Sequence, residues 1–506
     1  MLYSKMHTPH STMSSVEVDV LVCGAGMSGL ACAAFAASAG ARVLVVEKQA
    51  TVGGSSNYSA GMFWGPRSYE SLRAWVPEGD PALQKAWLAD YLRAVQWMRV
   101  NGVPTSQRFD GIMTIGIGFP INIPHLHRYH QQRIRDSHTQ SRILTNTSVV
   151  QLLQEHPGVA GSRLVGAIIR TSGPRDEDTQ HCKVTAKMVV LATGGFQGSA
   201  QLTSTHLGPE GDNIFVRSNK GSVGDGLVLA SAAGAGTSPG MGTYYGHLLA
   251  APLRAEDVDP KEFLALAQYQ SKYCLLINQG GRRFVDESIG DEIVNQYLAK
   301  QEGRRGFLLF NEQTRLQHCV SALFPNAGDI DRLQKARDHG CNVTSATSVA
   351  DLVSKLEEWG VDGIQARRTL ENYDSRIRLG KREVSLDAPT GTAGAAPRPL
   401  TDGEGPFYAM EVQPSITFTY GGVQIDTRGR ALSADRTAIP GLLIAGVDAG
   451  GFSNRGYAGG LALAFVTGFW AAREVARTLG LPGPELPATA AEDAPDERAW
   501  QKSSRL

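Results

Sequence analysis

The stretch Val18 to Glu47 limits what this chain can fold into more than any other. It reads Val-Asp-Val-Leu-Val-Cys, then Gly24-Ala-Gly26-Met-Ser-Gly29, then an alanine-rich run, then Arg42-Val-Leu-Val-Val-Glu47. An apolar run ending in glycines, a helical pattern and a second apolar run predict a strand, a helix and a parallel strand in one βαβ unit. Gly24 permits the tight turn, Gly26 lets backbone approach a pyrophosphate, and Gly29 lets the helix pack close to the strand. The N–H groups at the helix start carry roughly half a positive charge toward phosphates. Glu47 ends the second strand, where an acid can accept from a ribose hydroxyl. Strands, glycines and acid together predict a dinucleotide site.

The bulk numbers narrow the class. At 506 residues there is room for one large nucleotide-binding domain and an insertion. Lys plus Arg is 49 and Asp plus Glu is 49, so no charge field draws the chain to nucleic acid or an anionic membrane. Cys23, Cys32, Cys182, Cys274, Cys319 and Cys341 form neither CxxC nor CxxCH, which leaves zinc, attached haem and a disulfide scaffold unsupported and suits a reducing compartment. No apolar run is long enough to span a bilayer, and no hydrophobic signal core opens the chain. Residues 1–16 and 481–506 are expected to be flexible tails. The final Ser504-Arg505-Leu506 is close to the Ser-Lys-Leu peroxisomal address, so the expected compartment is the cytoplasm or, in a eukaryote, the peroxisome.

Further along, Val52-Gly53-Gly54-Ser55-Ser56-Asn-Tyr-Ser59-Ala60-Gly61-Met62 is made of small residues, so backbone can lie along a flat ligand. Pro81 to Val100 has helical spacing. Pro124 to Ser137 is a second helix, whose His125, His127 and His130 lack an accompanying carboxylate or thiolate and are expected on a solvated or phosphate-facing side. A buried strand runs into Ala192-Thr193-Gly194-Gly195, a helix starts near Asp225, and a late apolar strand ends at Ala445-Gly446-Val-Asp448. Glycines then lead through Asn454-Arg455-Gly-Tyr457-Ala-Gly459-Gly460 into an apolar helix beginning Leu461-Ala462.

These motifs, in this order, resemble the FAD flavoprotein family that contains fumarate reductases, 3-ketosteroid dehydrogenases and tricarballylate dehydrogenases. The resemblance runs from about Val18 to Ala472. It implies an α/β fold: a Rossmann-like FAD-binding domain in two parts, 17–250 and 397–480, with an inserted α+β substrate-capping domain at 251–396. It implies FAD against Gly24, Ala25, Gly26, Met27, Ser28 and Gly29; Glu47 and Lys48; Gly53, Gly54, Ser55, Ser56, Ser59, Ala60, Gly61 and Met62; Ala192, Thr193 and Gly194; and Gly446, Asp448, Gly460, Leu461 and Ala462. Asp225 is read either as a helix cap or as a ligand. No His lies between Thr51 and Pro66, which points to non-covalent FAD.

The same resemblance sets the chemistry: an oxidoreductase acting on CH–CH groups, moving hydride between flavin and a carbon near a carbonyl or carboxylate. His247 matches the spacing of a substrate-binding His. Where fumarate reductases carry a proton-donating Arg, this chain has Asp291, read either as acid/base partner or as a cap residue. Phe418 replaces a second substrate His. Without gaps Arg455 falls on the carboxylate-binding Arg; with one gap Tyr457 falls on the ketosteroid base. The expectation is therefore α,β-desaturation, with Arg455 and His247 holding or polarising the substrate and Tyr457 or Tyr245 taking the proton. An ene-reductase and a non-catalytic electron-relay flavoprotein are the alternatives. No metal, haem or iron–sulfur motif appears, so electrons are expected to pass to oxygen, a quinone or a redox protein.

Overall fold

The computed structural model describes residues 14–112, 115–173, 175, 178–209, 211–322, 328–378, 399–401, 405–490 and 493. Its main sheet begins with the strand Ser14–Cys23, which pairs in parallel with Val43–Val46 and with Gln180–Leu191. Arg142–Leu144 extends one side and Ala438–Ile444 the other, again in parallel. The register puts Cys23, Val46, Leu144, Leu191 and Ile444 at one edge. Each glycine motif follows one of these strand ends, so the ligand-binding loops collect where parallel α/β sheets bind ligands. The C-terminal ends of the long strands, residues 20–23 and 188–191, are apolar and buried on both faces, while their first residues are polar and partly exposed.

The helix Met27–Ser38 is buried from Met27 to Ala37. Its alanines fit because the helix Leu461–Leu479 presses on it; a Cβ at Gly468 would lie 2.3 Å from the Ser28 carbonyl oxygen. Pro81–Val100 is helical as expected, started by Asp80, whose side chain accepts from the Ala82 and Leu83 N–H groups.

A second sheet is built on the long strand Phe407–Ile416. It pairs antiparallel with Leu248–Ala250, Gly306–Asn311 and Val343–Ala346, and in parallel with Phe215–Val216. The expected limits 251 and 396 do not coincide with this sheet, which draws strands from both sides of them. Residues 379–398, which contain the expected second limit, lie outside the described residues.

Two further expectations are corrected. Ser14, Ser15 and Val16 are strand, paired with Cys182, Lys183 and Val184, not tail. Residues after 480 are partly anchored: Arg93 donates to the carbonyls of Leu486 at 2.6 Å and Pro487 at 3.3 Å, and Arg99 pairs with the 4% exposed Asp493. Pro and Ala in that segment suggested disorder, yet Leu486 supplies an apolar anchor. The Ser504-Arg505-Leu506 terminus lies outside the described residues.

The histidine-rich helix, Ile123–Asp136, is also corrected. His127 and His130 are buried, and His130 stacks on Trp97 with ring centroids 5.6 Å apart. The spacing of Ile123, Leu126, His127, His130 and Ile134 is that of an apolar helical face. Burial pushes His127 down to about 4 and His130 well below its usual value. Unfolded histidines titrate near 6.5, so between 6.5 and about 4 the unfolded chain binds protons that the native chain refuses. Stability is thus lost as pH falls through that window, and the melting temperature should drop there. A melting temperature that stays level would contradict the neutral burial of these rings.

Candidate active site

A cavity of about 470 Å³ runs from the strand ends of the main sheet to the second sheet. Its nucleotide side is lined by Gly24, Gly26, Met27, Ser28, Glu47, Lys48, Gly54, Ser55, Ser56, Ser59, Ala60, Met62, Ala192, Thr193, Gly194, Asp225, Gly446, Gly460 and Leu461. The other expected contacts do not line it. Ala25 donates its N–H to Glu47 at 2.8 Å, Gly53 bridges Gly26, and the Gly61 carbonyl accepts from Ile121 N–H at 2.9 Å. Asp448 accepts from Thr193 N–H and Oγ1 and from Gly194 N–H, fixing that loop; burial raises its carboxyl to about 7. Ala462 is fully buried in its helix.

These residues fit FAD. Gly24 has φ +103°, and a Cβ there would lie 2.2 Å from the Ala192 carbonyl oxygen. A Cβ on Gly29 would lie 1.9 Å from the Gly24 carbonyl oxygen, so the turn requires both glycines. No side chain caps the helix that starts at Met27, which leaves its first N–H groups for a pyrophosphate. Glu47, 6% exposed, accepts from Ala25 and Gln49 N–H at 2.8 Å each and keeps lone pairs for a ribose hydroxyl. Asp225 is the first helical residue and does not cap; its carboxylate meets Lys48 Nζ at 2.5 Å. His127 Nε2 lies 3.1 Å from Ser56 Oγ and steadies the serine loop from behind. Glu47→Gln replaces one acceptor oxygen with a donor facing a backbone N–H. It should weaken FAD binding roughly 10- to 100-fold, read by titrating FAD into deflavinated protein.

The second-sheet side of the cavity holds the reactive groups. Tyr244–Tyr245 pairs antiparallel with Phe418–Thr419, so Tyr245 sits opposite Phe418. Tyr245 stacks on Tyr457 at 3.9 Å between ring centroids, and Tyr457 meets Trp64 at 4.8 Å. The Tyr245 hydroxyl is 2.8 Å from His247 Nε2, and His247 Nδ1 is 2.5 Å from Asp291 Oδ2. All three groups are at least partly buried, with His247 at 4% and Asp291 at 7% exposure.

The fold holds this line rigidly. Asp291 begins the helix Asp291–Leu298. Asn295, one turn on, donates to the Ser415 carbonyl and accepts from Ser415 N–H, each at 2.9 Å. Ser415 Oγ in turn donates to the His247 carbonyl at 2.6 Å. Gln296 donates to the Arg455 carbonyl at 2.8 Å, which ties the same helix to the loop carrying Tyr457.

Burial pushes Tyr245 and Tyr457 above the usual tyrosine range, and burial lowers His247 although Asp291 opposes the shift. Burial and the adjacent Asp291 charge drive Glu292 well up. Asp291 Oδ2 faces His247 Nδ1 as a hydrogen-bond acceptor. An acceptor at Nδ1 assigns the proton to that nitrogen, so neutral His247 accepts the Tyr245 O–H at Nε2.

Tyr245, Tyr457, His247 and Asp291 therefore come together. Arg455 does not line the cavity; it occupies a positive-φ turn at +59°. Both His247 ring nitrogens are already engaged, so it has none left for a substrate carboxylate. An ungapped motif match could not see that Arg455 stands outside the cavity lining. Sequence reasoning missed Arg217, Tyr269 and Arg332, which also line the cavity. Arg332, in Asp331-Arg-Leu-Gln-Lys-Ala-Arg, reads as a solvated charged helix, and nothing local marked Arg217.

The fold and site define an FAD flavoprotein with an aromatic reaction chamber. Residues 19–461 match the FAD binding domain family, and the chain belongs to it. It is similar to NADH:fumarate oxidoreductase of Klebsiella pneumoniae (strain 342), 28% identical over 88% of this chain and 46% of that protein, so it spans less than half of that relative. It is 26% identical to fumarate reductase (cytochrome) of Shewanella frigidimarina, over 91% of this chain and 76% of the other. It is 26% identical to 3-oxosteroid 1-dehydrogenase of Mycolicibacterium smegmatis, over 66% and 59%. The fold matches 3-ketosteroid delta1-dehydrogenase from Sterolibacterium denitrificans with TM-score 0.68, 19% identity, and coverage of 91% and 100%. The chain is an FAD-dependent oxidoreductase of the class acting on CH–CH groups. Among the described residues no helix is long and apolar enough to cross a membrane.

Proposed function

We propose that the chain desaturates a Cα–Cβ bond next to a carbonyl or carboxylate, with Tyr245 as the group that takes the Cα proton. The observation carrying this reading is the line Tyr245–His247–Asp291, at 2.8 and 2.5 Å. Because the Tyr245 O–H donates to His247, its oxygen presents lone pairs to the cavity, as a base must. As that oxygen takes the Cα proton, its own proton passes to His247 Nε2, and Asp291 stabilises the imidazolium. FAD, held non-covalently by the glycine loops, supplies the two-electron acceptor for the Cβ hydride. The buried aromatic walls exclude water from the developing enolate charge. Tyr457 packs on Tyr245 and orients it, with no relay of its own.

The resemblance supports desaturation over reduction, since Asp291 stands where fumarate reductases carry their proton-donating Arg. Electrons then leave to oxygen, a quinone or a redox protein, and the compartment is cytoplasmic or peroxisomal. The test is turnover with an artificial electron acceptor and saturated candidates: steroid ketones, 3-phenylpropionate, tricarballylate and succinate. A new C=C bond in the product supports the reading. Turnover confined to unsaturated candidates with a reduced electron donor overturns it.

A further inference from the structure

We infer that Arg217 anchors a carboxylate on the substrate, and that this substrate carries its charge at one end of a flat apolar body. The inference rests on the reading above only for which part of the cavity reacts.

Arg217 follows the strand Phe215–Val216, and its backbone N–H donates to the Ile416 carbonyl at 2.9 Å. Its side chain lines the cavity and is 6% exposed, while its Nε and Nη1 have no hydrogen-bond partner. No Asp or Glu pairs with it among the described residues. Other partly buried arginines of this chain do hold carboxylates: Arg283 with Glu287, Arg305 with Glu411, Arg428 with Glu474. A guanidinium out of water without a countercharge is strongly unfavourable, so a site that keeps one is built for an arriving anion.

The surroundings agree. Arg332, 1% exposed, lines the same cavity, and its Nε and Nη1 donate to the Ala267 carbonyl at 3.1 Å and to Ser321 Oγ at 2.9 Å. Its guanidinium lies 5.3 Å from the Tyr269 ring, and Tyr269 meets His247 at 4.8 Å. Arg217 hydrogen-bonds the same tyrosine through its side chain, which leaves Nε and Nη1 free. Asp291, the carboxylate whose field reaches Tyr269 and Arg332, is already bound to His247. This end of the cavity is therefore cationic. Beyond Tyr245 the wall is aromatic, with Phe418 at 5.4 Å and Tyr457 at 3.9 Å from the Tyr245 ring. Tyr245 stands between the two ends. A substrate tethered by its carboxylate at Arg217 lays its apolar part along Phe418 and Tyr457 and brings the intervening C–C bond to the Tyr245 hydroxyl. Arylalkanoates have this shape. Arg217 is in this account a specificity residue that touches substrate, and Arg455 is not.

The experiment uses the FAD-loaded full chain and two probes of equal shape, 3-phenylpropionate and 3-phenylpropionamide. Binding is read from the flavin difference spectrum and from the melting temperature. The acid should bind at least tenfold more tightly than the amide. In Arg217→Met the acid should weaken at least tenfold, the amide should be unchanged, and the melting temperature without probe should be no lower than wild type, because a buried unpaired cation has been removed. Equal binding of the two probes, binding of neither, or an acid preference retained in Arg217→Met overturns the proposal. A markedly lower melting temperature in Arg217→Met overturns it as well, by making Arg217 structural. Probe binding to the oxidised protein needs no proton transfer, so Tyr245→Phe should keep the acid preference. Failure of the desaturation reading would then appear in turnover alone.

Discussion

Tyr245→Phe should lower kcat by about 10²- to 10⁴-fold, the range a positioned general base contributes, while FAD content stays at the wild-type level. The substitution removes only the hydroxyl. The ring stays stacked on Tyr457 and opposite Phe418, so packing of the chamber is preserved. What disappears is the oxygen 2.8 Å from His247 Nε2, and with it the path by which a substrate proton reaches the His247–Asp291 pair. Tyr457→Phe provides the internal comparison. Tyr457 has no histidine behind it, whereas the Tyr245 hydroxyl meets His247 Nε2, so loss of the Tyr457 hydroxyl should cost far less than that of Tyr245. The reverse ranking would move the base to Tyr457.

Asp291→Asn should cost roughly 10²-fold or more in kcat and change the pH profile. An amide can donate to Nδ1, which would shift the imidazole proton to Nε2 and turn the hydrogen bond with Tyr245 around. Tyr245 would then receive a proton where it must give one up. The pH dependence follows from the direction of the His247 shift. Burial lowers it, so the ring is neutral at and above its ordinary 6.5 and becomes charged only at lower pH. Activity that needs neutral His247 falls as pH drops through that lowered value, and the acid limb of kcat/KM should lie below 6.5. Asp291 raises the His247 value, so in Asp291→Asn the limb should move further down. An acid limb above 6.5, or one that moves upward in the variant, would contradict the neutral relay.

The nucleotide half of the molecule was legible in the sequence because its constraints are local. Gly24 and Gly29 are required by backbone atoms within a few residues or in one neighbouring strand, and the apolar runs around them fix strand direction. The Tyr245–His247–Asp291 line was legible only as separate residues. Tyr245 and His247 are two apart and could be paired by eye, but Asp291 reaches them through the helix Asp291–Leu298, and Asn295 and Ser415 set that helix from 120 positions apart. Arg217 carried no local pattern, and Arg332 stands in a charged run that reads as a solvated helix; the partners of Arg332, Ala267 and Ser321, lie outside that run. The histidine-rich helix misled because His127 and His130 occupy apolar positions as neutral rings, a state composition does not report. Arg455 misled because a match of spacing says nothing of the left-handed turn that carries it.

The central claim is that oxidised FAD in this chain is reduced by a saturated substrate through Tyr245. Its most direct test is anaerobic stopped-flow mixing of wild-type and Tyr245→Phe protein with 3-phenylpropionate, a steroid ketone and tricarballylate, following the flavin band in a single turnover. The account predicts rapid bleaching of the wild type by a saturated compound, bleaching at least about 10²-fold slower in Tyr245→Phe, and the same probe affinity in both proteins. Equal bleaching rates in the two proteins would contradict it, as would a flavin that no saturated compound reduces and that, once chemically reduced, only the unsaturated counterparts reoxidise.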